Sequence, residues 1–189
     1  SRGLGDVYKR QCLCITINFW SDKMKESDLV HFYYQFHYEQ HYFLCHDILE
    51  EAWKLQSEFT KQDAVVSLIL LATGCYHYRR GNYKGAHKTF NKAYQIIQSY
   101  KPNELVYLGL NIAEYKEVLK HLISATSLEI PFSPIQLPLT EEMEQQIESE
   151  FPNYCVTKHV VSTPYILHHH QLRDRTEVIA ARHLSLIHI

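Results

Sequence analysis

A run of thirteen residues, AVVSLILLATGCY (64–76), constrains the fold more than any other part of this 189-residue chain. Val65, Leu68, Ile69, Ala72 and Tyr76 recur at helical spacing, and Val66, Leu70 and Leu71 make the remaining faces apolar as well. A helix that is apolar all round is stable in water only when other helices surround it. The run is too short to cross a bilayer, which takes ~18 apolar residues or more. It therefore predicts the centre of a helical bundle, and the rest of the chain must supply its surroundings.

Four further patterns do so. Leu29, Phe32 and Phe36 form a first helical stripe, with Ser27 placed to cap its start. Tyr42, Cys45, Leu49 and Trp53 form a second, Ala86, Phe90, Ala93 and Ile97 follow the central run, and Leu105, Leu108, Ile112, Tyr115, Leu119 and Leu122 make the last. Short connections make consecutive helices antiparallel neighbours. The expected fold is all-α: a single compact antiparallel bundle of about five core helices, an extended Pro-rich segment and short C-terminal helices.

That Pro-rich segment is EIPFSPIQLPL (129–139), whose three prolines lack backbone donors and force an extended path wrapping the bundle. TEEMEQQIESEF (140–151) then restarts a helix, with Thr140 as its cap and acids in the first turn. Residues 152–171 are mixed. Within them His159 stands alone, and His168, His169 and His170 run consecutively, a pattern that points in different directions on any regular element and reads as a solvated loop. LRDRTEVIAAR (172–182) reads as a last short helix, exposed and charged.

The chain divides accordingly. SRGLGDVYKRQ at the start and LSLIHI at residues 184–189 resemble translated adapter or cloning-linker sequence, and 1–23 are expected to be a non-native leader, with Met24 marking where the amphipathic pattern begins. Residues 24–125 are expected to form the bundle core and 126–183 the wrap and tail. With 19 basic and 21 acidic residues, and a net charge of −2, there is no electrostatic footprint for nucleic acid or an anionic membrane. A cytoplasmic location is expected. Cys12 and Cys14 lie in the leader, and Cys45, Cys75 and Cys155 are spaced too far apart for a metal site and read as reduced thiols.

Two clusters carry whatever chemistry the chain has. In YHYRRGNYKGAHKTFNKAY (76–94), Gly81 follows the last periodic residue of the central helix, where a left-handed residue ends a helix cheaply, and Asn82 is placed to cap the next. Gly85 and Ala86 are small enough for the two helices to approach closely, and Arg79 and Arg80 lie favourably against the helix dipole. In HYFLCHDILEEAWK (41–54), His46 and Glu50 fall beside Leu49 and Trp53 on the inward face, while Asp47, Glu51 and Lys54 point more toward water. A histidine and a glutamate one turn apart can ligate a divalent metal, the carboxylate doubling as a base. The pair is weaker than the HExxH zinc motif, because the second histidine is absent. The structural alternative is a network in which Glu50 accepts from His46 and from Arg79 or Arg80.

Together these residues resemble the bacterial and archaeal family called domain of unknown function 309. Its pattern is a His-Glu-x-x-Glu-x-x-Trp helix, then an apolar helix ending in an Arg-Gly-Asn turn and a Gly-Ala step. His46, Glu50, Trp53, Arg80, Gly81, Asn82, Gly85 and Ala86 match it, Asp47 stands where the family usually has Glu, and the resemblance spans about residues 28–125. HHHQLRDRTEVIAAR (168–182) also resembles the tail of Gram-positive members. The resemblance implies the helical fold and no particular activity. Gly74, Gly81, Tyr83, Ala86, Phe90 and Ala93 are in addition spaced as in one tetratricopeptide repeat, a peptide-binding hairpin, although a solenoid needs about three such copies. The expected function is thus a helical protein whose polar cluster is structural or ligand-binding. A metal-dependent hydrolase using His46 and Glu50 and a tetratricopeptide-like peptide-binding module are the alternatives. No cofactor other than a divalent metal is suggested, and a protein partner or a second copy of the chain remains open.

Overall fold

The computed structural model describes residues 24–172, and within them the chain is helical with no strand beyond one isolated antiparallel bridge, Leu110 to Leu139. The helices are α1 (Glu26–Tyr34), α2 (Tyr42–Lys54), α3 (Ala64–Arg79), α4 (Tyr83–Gln98), α5 (Ile112–Ser127), α6 (Glu141–Glu150) and α7 (Pro164–Leu172). The expectations placed on residues 1–23 and 173–189 lie outside the described residues.

The apolar run becomes the centre of the bundle. Eleven of the sixteen residues of α3 are buried, and it packs against α2 and, most extensively, α4, which in turn packs on α5. Ser67, a polar residue in this core, is satisfied by donating to Ala93 O at 2.9 Å and by its 3.0 Å contact with the Tyr115 hydroxyl. Cys45 and Cys75 are buried free thiols and Cys155 an exposed one. No helix among the described residues is long and apolar enough to cross a membrane.

The glycine turn forms as its residues require. Gly81 has φ +72°, its N–H donates to Tyr78 O, and the Asn82 N–H donates to His77 O, the two bonds of a left-handed helix stop. Asn82 Oδ1 then accepts from Gly85 N at 2.9 Å, starting α4. The close approach of α3 and α4 has a different origin from the one expected. A Cβ on Gly85 would meet the Asn82 side chain, so this glycine makes room for the cap. It is Gly74, whose missing Cβ would lie 2.6 Å from Phe90 Cδ1, that lets the helices touch, with Ala86 fully buried alongside.

Three other boundaries differ from the sequence reading. Ser27 does not cap α1, because the helix begins two residues earlier than the pattern suggests, with Lys25 as its N-cap and Ser27 already in the first turn. The last stripe is not one helix: Leu105 and Leu108 are buried from short 3₁₀ turns, Gly109 turns left-handed at φ +64°, and Asn111 caps α5 at Ile112. The break allows Asn111 N to donate to Pro138 O and Thr140 N to Gly109 O, pinning the Pro-rich segment to the bundle. Finally, His168–His170 lie in α7 and not in a solvated loop, because Ile166 is buried and draws this segment onto the bundle, where it packs against α2.

The Pro-rich strap is extended and wraps as expected. Phe132 sits edge-on to Tyr42 and Tyr78, and the Tyr78 hydroxyl donates to Ile130 O at 2.9 Å. Thr140 Oγ1 accepts from Met143 N and starts α6.

Candidate functional site

Helix α2 carries the histidine–carboxylate cluster. Its start is capped by the side chain of His41, which accepts from Leu44 N at 3.0 Å, and its register is set by Tyr42, Cys45, Leu49 and Trp53, all buried. The neighbouring stripe holds His46, Asp47 and Glu50, with side chains 28%, 28% and 36% exposed. Asp47 is thus as covered as His46, where the helical projection had turned it outward. His46 Nδ1 lies 3.1 Å from Asp47 Oδ1, and His46 Nε2 lies 4.0 Å from Glu50 Oε2. The other Glu50 oxygen, Oε1, is paired with Lys54 Nζ at 3.0 Å. Phe43 stacks on the His46 ring at 6.2 Å between centroids. One ligand atom from each of the three residues falls within 4.8 Å of the others, an arrangement able to hold a cation.

The arginines expected to pair with Glu50 do not reach it. Arg79 donates from Nη1 to Gln40 O at 2.7 Å and from Nη2 to Ile166 O at 3.4 Å, and lies 4.9 Å from the centre of the Tyr42 ring. Burial draws its guanidinium pKa below the usual value. Arg80 donates from Nη1 to the Tyr76 hydroxyl at 3.1 Å and to Leu167 O at 2.9 Å, and contacts His168 Nδ1 at 3.0 Å. Both therefore clasp α7 by its main chain, and the Glu50–arginine network is not formed. The reason is positional: both arginines stand at the end of α3 beside the start of α2, whereas Glu50 is two turns further along α2.

Trp53 and Asn82 are also separate from the cluster. Trp53 Nε1 donates to Asp63 Oδ2 at 2.8 Å, while Thr60 donates to the same carboxylate from its backbone N–H at 2.8 Å and its hydroxyl at 2.7 Å. Burial disfavours the Asp63 anion, but these donors outweigh it and hold the carboxyl below its usual pKa. Trp53 thus anchors the α2–α3 loop. Asn82 serves the turn, its amide also donating to His77 Nδ1 at 3.2 Å.

A second polar centre was not legible in the sequence. After α1 the chain makes a π-helical turn, Gln35–Glu39, ended by Gln40 in a left-handed conformation at φ +51°. His37 Nε2 accepts from Leu137 N at 2.8 Å, so Nδ1 carries the proton and donates to the Tyr154 hydroxyl at 2.7 Å. Gln40 Nε2 donates to His159 O at 2.8 Å and Gln40 Oε1 accepts from Val161 N at 3.1 Å. His37 and Gln40 are buried and fasten both the strap and the C-terminal arm. The apolar stripe of Leu29, Phe32 and Phe36 gives no sign of the extra residue per turn, although a buried polar group at a π-turn is a frequent marker of a specialised site.

With the geometry described, comparison with known proteins decides the family. Residues 29–89 match the family model described as domain of unknown function (DUF309). The "uncharacterized protein YpuF" of Bacillus subtilis (strain 168) is 30% identical over 152 residues, covering 78% of this chain and 87% of that protein. The chain belongs to the DUF309 family. No solved structure matches it. The DUF309 segment contains the His46–Asp47–Glu50 cluster, the Trp53–Asp63 anchor, both arginines, the glycine turn, and His37 and Gln40 as well. What those residues fasten, namely the strap at Leu137, the arm at Tyr154–Val161 and helix α7, lies outside the matched segment.

Proposed function

We propose that this DUF309 protein binds a divalent cation through His46 Nε2 and Glu50 Oε2, with Asp47 orienting the histidine. The observation that carries the reading is the 4.0 Å gap between those two atoms. It is too long for a hydrogen bond, and a small side-chain rotation that closes it by about 0.6 Å would give the roughly 3.4 Å that separates two ligands about 2.1 Å from one tetrahedral ion. Asp47 supports it from behind: a carboxylate on Nδ1 selects the tautomer whose Nε2 lone pair is free, the arrangement found behind metal-ligating histidines. Glu50 divides its two oxygens, giving Oε1 to Lys54 and leaving Oε2 facing the histidine. Two protein ligands leave the remaining coordination positions to water. Metal-assisted hydrolysis is accordingly the reaction class such a site would serve.

Urea melts with and without zinc or manganese, on protein purified without a histidine tag, test the reading. A ligand at 100 times its Kd stabilises by about 2.7 kcal/mol. That increment is expected in the wild type and absent in His46→Ala and Glu50→Gln. Asp47→Asn should weaken metal affinity by about 10- to 100-fold, as loss of an orienting group does. Lys54→Ala, which frees Glu50, should tighten it. A wild type indifferent to both metals would end the proposal.

A further inference from the structure

Arg79 and Arg80 form a cationic corner that no carboxylate among the described residues compensates. Every acceptor they find among the described residues is neutral: three main-chain carbonyls, the Tyr76 hydroxyl and the His168 ring. The ion pairs among those residues involve His31, His46, Lys54 and Lys120, and no arginine. Arg79 Nε is buried with no hydrogen-bond partner among the described residues. Arg80 is used unevenly: one nitrogen, Nη1, faces all three of its acceptors, while Nε and Nη2 have none among the described residues. The Arg80 charge is also felt next door, since burial first and Arg80 second hold the His77 imidazole below its ordinary pKa. Two adjacent guanidiniums, half-buried and without a counter-ion among the described residues, make a favourable setting for an anion, because partial desolvation strengthens the charge-assisted bonds it would accept.

We propose that this corner binds a phosphate-type oxyanion, taken up by the free Nε and Nη2 edge of Arg80 and by His168, with the Arg79 charge behind. The Nε–Nη2 edge of a guanidinium presents two parallel donors matched to two oxygens of one phosphate. His168 sits on the exposed side of Arg80, and because its Nδ1 accepts from Arg80 its Nε2 carries the hydrogen and supplies a further donor. Gly81, the residue after Arg80, adds no wall, since nothing lies within 4 Å of where its Cβ would be. The same anion would tie α7 to the α3–α4 turn through both Arg80 and His168. This site stands apart from the His46 cluster and does not depend on a cation there.

The test is titration of the full chain with inorganic phosphate at constant ionic strength, in the presence of a chelator, read by calorimetry and thermal melting. Acetate and chloride serve as comparison anions. Phosphate should raise the melting temperature where equal ionic strengths of chloride and acetate do not, and Arg80→Gln should weaken phosphate binding by about tenfold or more. Arg80→Lys keeps the charge and loses the fork, and should recover only part of that loss. A wild type that responds to phosphate no more than to chloride overturns the proposal even if a variant fails to fold. Equal phosphate affinity in wild type and Arg80→Gln overturns it as well.

Discussion

Acid should weaken this fold through His37, by an amount the structure allows to be worked out. The ring is 2% exposed, its Nε2 accepts the Leu137 N–H and its Nδ1–H is given to Tyr154, so the folded state holds the neutral imidazole. Protonating Nε2 would set two N–H groups against each other inside the protein. Burial lowers the folded pKa to about 4 from the ordinary 6.5. Between these values the unfolded chain binds a proton that the folded chain does not, so the contribution is complete above pH ~6.5 and is lost as pH falls toward 4. The difference between these two values, at about 1.4 kcal/mol per pH unit, gives about 3 kcal/mol. Other groups titrate over the same range, so the quantity to measure is the stability gap between wild type and His37→Gln, from urea melts at several pH values from 4 to 7. Glutamine retains an acceptor for Leu137 but does not titrate. The gap should shrink by about 3 kcal/mol on going from pH 7 to pH 4. A gap that stays constant across that range would refute the buried neutral histidine.

The turn and the close contact can be probed one residue at a time. Gly81→Val should destabilise by about 1–2 kcal/mol in thermal or urea melts, and Gly81→Asn by less, because only the β-branched residue resists the left-handed conformation. Equal tolerance of both would contradict the observed φ. Gly74→Ala should cost about 1–3 kcal/mol by pushing against the fully buried Phe90 ring, which Phe90→Leu in the same background should partly relieve. Since Glu50 and Arg80 share no contact, the double variant Glu50→Gln/Arg80→Gln should equal the sum of the singles within about 0.5 kcal/mol; a larger coupling would revive the ion-pair network.

Several elements of this protein are determined by its sequence alone. The all-round apolar run had to lie at the centre, Gly81 and Asn82 had to stop one helix and start the next, and the three prolines had to run extended. Each of these follows from local stereochemistry or from a 3.6-residue period, and both can be read within one or two turns of chain. The cluster on α2 was legible to the same extent, because His46 and Glu50 meet through helical geometry alone. A projection of the helix misplaces Asp47, which leans onto the His46 ring and is as covered as that histidine. Tertiary structure alone decided the longer-range partners. Arg79 and Arg80 meet α7 and not Glu50, and His37 joins Leu137 and Tyr154, 100 and 117 residues away. The physical reason lies in the two kinds of interaction. Apolar burial is non-directional and adds along the chain, so its pattern is written locally. A buried hydrogen bond depends on distance and angle to a single partner, and where that partner arrives is settled only after the strap and the arm have packed.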